Sequence, residues 1–126
     1  MPLQEFVHVR AKMRDREPRL GIQRNGRVSI NAGGLEALGH PTHVVLLFDS
    51  QSLDFGVRAA RPEERHSYNL RMDESTKTGA NASALALWRY FNIDFEKYLG
   101  SYLARQEDGA LIISLKGHDD DAAGDH

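Results

Sequence analysis

Seven basic side chains fall within the first 27 residues: Arg10, Lys12, Arg14, Arg16, Arg19, Arg24 and Arg27. Cationic groups at that density can neutralise phosphates and release their condensed counterions. Arginines on a two-stranded ribbon can also reach phosphate or guanine in a major groove. Phe6 is the only aromatic residue in the same stretch, which argues against stacking on single-stranded bases. Residues 1–30 carry seven Lys/Arg against three Asp/Glu, a net of +4, whereas residues 91–126 carry three against eight, a net of −5. The whole chain sums to −2. A basic N-terminal third fits a polyanionic partner; the plainer alternative is a solvated strand face.

Other constellations are weaker. His40-Pro-Thr-His43 sets two imidazoles three apart, but Pro41 makes the segment a turn, and no carboxylate motif adjoins it. His118 with Asp119, Asp120 and Asp121 lacks the glycine and spacing of a calcium loop. Thr76-Lys77-Thr78-Gly79 lacks the glycine-rich lead of a phosphate loop. No Gly-x-Ser-x-Gly elbow is present, and Glu63-Glu64 and Glu107-Asp108 sit in linker or turn contexts. No catalytic residue, metal site or cofactor is therefore expected, and the chain is not read as an enzyme. Trp88, Tyr90, Phe91, Phe95, Tyr98 and Tyr102 cluster in 15 positions. They form either the core of the second half or a partner-binding surface around Trp88, Tyr98 and Tyr102, for another protein or a second copy.

The elements that must position these groups follow from local pattern. With 126 residues, 40% hydrophobic and 27% charged, the chain fits one domain. It has no cysteine, and no stretch approaches the roughly 20 apolar residues that span a bilayer. Its opening residues lack a leader pattern, so a cytoplasmic protein with no membrane partner is expected. Residues 6–13 alternate as a half-buried strand. Leu20 to Ile30 reads as a hairpin, with Asn25-Gly26 supplying the two positive φ angles of a type I′ turn. Gly21 marks a bulge or a close backbone approach.

Asn31 is placed to cap a short helix carrying Leu35 and Leu38, and Gly39 to end it. Val44–Phe48 is an apolar run, expected as a strand buried on both faces, with Leu53–Val57 as its hairpin partner. Arg61–Arg65 is a polar link. Tyr68, Leu70 and Met72 share one face of a further strand, and residues 73–79 form a polar loop. Asn31-Ala32-x-x-Leu35 returns as Asn81-Ala82-x-x-Leu85, so a second helix is expected from Asn81 to about Asn92. Residues 95–105 are ambiguous between helix and strand. Asp108-Gly109 marks another hairpin turn, and Ala110–Leu115 a strand. The expected fold is mainly β (α+β): a small barrel from two similar strand–helix–strand–strand halves, about residues 6–60 and 66–115, with two short helices. Residues 116–126 are expected to be a disordered acidic tail.

Gly26, Arg27, Val28, Ile30, Leu38, Gly39, Val44 and Arg58 together resemble the swapped-hairpin unit of AbrB-type DNA-binding proteins. The resemblance covers about residues 20–59. It implies two interleaved units in one small barrel, usually formed by dimerisation, and a regulatory role through double-stranded DNA. The family opens its helix with Ile-Pro and carries an arginine within it. Here Asn31-Ala32-Gly33-Gly34 has neither, so DNA contact would fall to the strands before the helix.

Overall fold

The computed structural model describes residues 17–72 and 79–117. The expected strand at 6–13, Arg10, Lys12, Arg14, Arg16, most of the 73–79 loop and nearly all of the acidic tail lie outside the described residues. Ten strands are described: β1 (Arg19–Ile22), β2 (Arg27–Ile30), β3 (His43–Asp49), β4 (Asp54–Ala60), β5 (Ser67–Asn69), β6 (Arg71–Met72), β7 (Ala80–Ser83), β8 (Gly100–Leu103), β9 (Arg105–Glu107) and β10 (Ala110–Ser114). Helix α1 (Ala32–Ala37) follows β2, and α2 (Leu85–Tyr90) follows β7. Single 3-10 turns cover Phe95–Tyr98 and Leu115–Gly117.

The strands form two antiparallel sheets. The first has the order β6-β7-β2-β1-β8, and the second β5-β3-β4-β10-β9. One residue, Leu70, separates β5 from β6, and one residue, Ala104, separates β8 from β9. Each outer strand of one sheet thus turns a corner and becomes an outer strand of the other. Backbone bonds hold both corners: Leu70 N–H donates to the Thr42 carbonyl at 3.0 Å, and Ala104 N–H to the Pro18 carbonyl at 2.9 Å.

The β1–β2 turn differs from the expected type I′. Gly26 alone has a positive φ, of 84°. Gly26 N–H donates to the Gln23 carbonyl and Gln23 N–H to the Arg27 carbonyl, both at 2.9 Å. This is a three-residue loop, a type I turn closed by a glycine bulge. Asn25 uses its side chain instead, accepting from Arg27 N–H at 3.1 Å. At Asp108-Gly109 both φ angles are positive, 50° and 80°, and Glu107 pairs directly with Ala110. The two-residue type I′ turn occurs there.

Asn31 caps α1 as expected, its Oδ1 accepting from Gly34 N–H at 2.8 Å. Gly34 permits close approach to the sheets, since a Cβ there would stand 2.7 Å from Ile30 Cγ2 and 3.2 Å from Leu111 Cδ1. The helix expected from Asn81 is corrected. Asn81 and Ala82 lie in β7, opposite Ser29 and Val28. Helix α2 starts at Leu85 with Ala84 as N-cap and no side-chain cap bond. The repeated letters therefore occupy unlike structures. The helix ends do match, 53 residues apart. His40 N–H donates to the Leu35 carbonyl at 2.8 Å, and Gly39 N–H to the Glu36 carbonyl. Ile93 N–H donates to the Trp88 carbonyl at 2.8 Å, and Asn92 N–H to the Arg89 carbonyl. Both are Schellman ends, with Gly39 and Asn92 in the left-handed region.

The core lies between the sheets. Leu20, Ile30, Val44, Phe55, Val57, Leu111 and Ile113 are buried there around Trp88. Trp88 packs against Phe55 at a 5.2 Å ring separation and against Phe48 and Phe95 at 6.3 Å. Strand β3 is not buried on both faces. Val44 is fully buried and Leu47 is 37% exposed, because no layer of the described residues covers the outer face of the second sheet.

Candidate nucleic-acid interface

Strand alternation gives the first sheet an outer face opposite the core. On β2, Val28 and Ile30 point inward while Arg27 and Ser29 are half-exposed. On β7, Ala80 and Ala82 point inward, leaving Asn81 and Ser83 outside. On β1, Leu20 and Ile22 point inward, leaving Arg19 and Gly21. The registers align one transverse row across all five strands: Arg71, Asn81, Ser29, Gly21 and Ser101. At the centre of this row the Ser29 hydroxyl occupies the space over Gly21. A Cβ at position 21 would stand 2.4 Å from Ser29 Oγ, so the close approach expected there is present.

Two arginines, each the first residue of its antiparallel strand, lean onto the row from opposite sides. Arg27 lies opposite Ser83, yet its Nε donates to Asn81 Oδ1, two residues along, at 2.6 Å. Arg19 lies opposite Leu103, and its Nε donates to Ser101 Oγ at 2.9 Å, again two residues along. Arg71 is exposed and lies directly opposite Asn81. The strands of this sheet contain three arginines and no Asp or Glu. Among the described residues, the ion pairs involve only Arg58 and Arg105, and no described carboxylate pairs with Arg19, Arg27 or Arg71.

The second sheet has the opposite character. Arg58 pairs with Glu64 at 2.9 Å, and Arg105 pairs with Asp54 and Glu107. A shallow hollow of about 300 Å³ on its outer face is lined by Leu47, Gly56 and Ile112, with Asp49, Asp54, Glu107 and Arg105 among the residues at its rim. The backbone N–H groups of Gln51 and then Ser52 hold the Asp49 carboxyl below its usual range. The rim is thus net acidic and repels a polyanion. At the end of β4, Glu64 accepts from Arg58 and also from the Arg61 N–H, at 2.8 Å. The Arg58 hydrogen bond, then the Arg61 N–H, lowers its carboxyl from 4.5. As pH falls, the unfolded chain takes up this proton before the folded one does. The stabilisation is therefore fully present above about 4.5 and is lost as pH drops through the lowered folded value. Glu64→Gln is expected to flatten the acid limb of melting temperature against pH; parallel curves for variant and parent would contradict this.

Of the basic residues read from the sequence, Arg19 and Arg27 come together on one face. Arg24 is exposed at the tip of the β1–β2 loop, at one end of the sheet. The aromatic contact surface is corrected. Trp88 is 1% and Tyr102 4% exposed, and Tyr102 donates its hydroxyl proton to the Tyr98 carbonyl at 2.7 Å. Tyr98 is half-buried against the core. Tyr90, at 83% exposed, is the outward aromatic of that segment. Arg71, Asn81, Ser29 and Ser101 were not legible as site residues. Alternation put Arg71 opposite Leu70 and Met72, but its neighbour β7 read as helix, so the shared face was invisible. No protein-family model, curated protein or solved structure matches this chain. No helix among the described residues is long and apolar enough to cross a membrane.

Proposed function

We propose that this chain is a non-enzymatic, DNA-binding regulatory protein whose contact surface is the outer face of the first sheet. One observation carries the reading. Two of the three arginines of that face, Arg27 and Arg19, are held by an amide and a hydroxyl, whereas Arg58 and Arg105 of the second sheet are held by carboxylates. A guanidinium oriented by a neutral partner keeps its charge for phosphate, and each phosphate neutralised releases counterions.

We also infer a closed barrel of two similar halves, completed within one chain. Three features support it. The sheets share both outer strands through the corners at Leu70 and Ala104. The hairpin β3-β4 lies beside β10-β9 in one sheet, as β1-β2 lies beside β7-β6 in the other. The helices that follow β2 and β7 end alike. Such an arrangement does in one chain what swapped-hairpin proteins achieve with two.

A salt series tests the DNA reading. Anisotropy of a labelled random duplex should report binding at low salt. With three phosphate contacts, affinity falls about 40-fold between roughly 50 and 200 mM salt, for a slope near 0.9 per contact. Absence of binding at low salt would overturn it.

A further inference from the structure

Resting on that reading, we infer that the face takes the phosphate backbone of double-stranded nucleic acid across a groove, without reading bases. Arg27 is seated at Asn81 and Arg19 at Ser101. Those anchors stand on β7 and β8, with β2 and β1 between them, so they are three strand spacings or about 14 Å apart. A major groove is about 12 Å wide, so two cations at this separation meet the phosphate walls on either side of it. Between them in the row lie only Ser29 and Gly21, whose side chains are too short to reach base edges.

The anchoring bonds strengthen the inference. Base reading requires an arginine fork that extends into the groove and presents two donors to guanine. Here the Nε of each arginine is already committed to a neighbour on the sheet, which tilts both side chains along the surface rather than away from it. The aromatic residue in the strands of this sheet, Tyr102, is turned into the core. Among the described residues the face therefore offers no stacking platform, and single strands gain only charge contacts from it.

The test uses the full chain and four labelled probes at one low salt concentration. These are a random duplex, one strand of it alone, an all-A·T duplex and an all-G·C duplex. The random duplex should bind about tenfold tighter than the single strand, and the two uniform duplexes should agree within about threefold. Arg19→Ala and Arg27→Ala should each reduce the salt slope by about 0.9 on both uniform duplexes alike. A single strand bound as tightly as the duplex, or uniform duplexes differing by about tenfold or more, overturns the groove-straddling mode while leaving DNA binding in place. No binding to any probe overturns both.

Discussion

Combined Arg19→Glu, Arg27→Glu and Arg71→Glu substitution is expected to abolish binding to duplex DNA at every salt concentration where the parent binds. Each reversal removes one counterion-releasing contact, so the salt slope contributed by the face, about 2.7 for three contacts, disappears. Each also sets a carboxylate against phosphate where a guanidinium stood, which adds repulsion. Folding should survive, because all three side chains lie outside the core and none is ion-paired to a carboxylate among the described residues. Circular dichroism should match the parent. The control is Arg58→Glu with Arg105→Glu on the second sheet, where both arginines already face carboxylates. Equal loss of DNA binding in that control would show that total charge, rather than this face, sets the affinity.

Trp88→Ala is expected to lower stability by about 3–5 kcal/mol, the usual cost of truncating a large buried aromatic. Against a total of about 5–15 kcal/mol for a domain, that is enough to leave a large unfolded fraction. Trp88 contacts rings from β3 and β4 of the second sheet and from the turn after α2. It also donates Nε1–H to the Gly26 carbonyl at 3.0 Å, which ties α2 to the bulge of the β1–β2 loop. Trp88→Phe keeps most of the volume but leaves that carbonyl without its donor, for a loss of about 1–3 kcal/mol. Urea unfolding followed by circular dichroism is the suitable measurement, since Trp88 is the only tryptophan and its fluorescence goes with it. A Trp88→Ala midpoint equal to that of the parent would contradict the central role given to this ring.

The sequence disclosed those elements whose cause is local. Asn31 and Gly39 bound a helix because a side-chain acceptor and a positive φ are properties of single residues. Asp108-Gly109 closed its hairpin for the same reason. Asn25-Gly26 carried the same signal and adopted another turn, because Gly26 sits against Leu85 and beneath Trp88, contacts made far along the chain. Ala80–Ser83 forms a strand although its residues favour none by themselves. Pairing with β2 decides its conformation, with Ala80 and Ala82 turned into the core. The candidate site was half legible for a related reason. Charge on β1 and β2 is visible in one dimension, but the row that joins Arg71 and Ser101 to it exists only once four non-adjacent segments are in register.

The ladder between β1 and β8 sets Arg19 opposite Leu103, nearly the two ends of the described chain. Loop closure over such a separation must precede any gain from the pairing, which places the protein among the slow-folding, high-contact-order topologies. Synthesis runs from the N-terminus, so the arginines of β1 and β2 leave the ribosome long before the strands that flank them. In that interval they are exposed on a hairpin that has neither Asn81 nor Ser101 to hold its guanidinium groups. The surface acquires its geometry only once β8 is out, and a chain cut short before β8 carries the charge without the site.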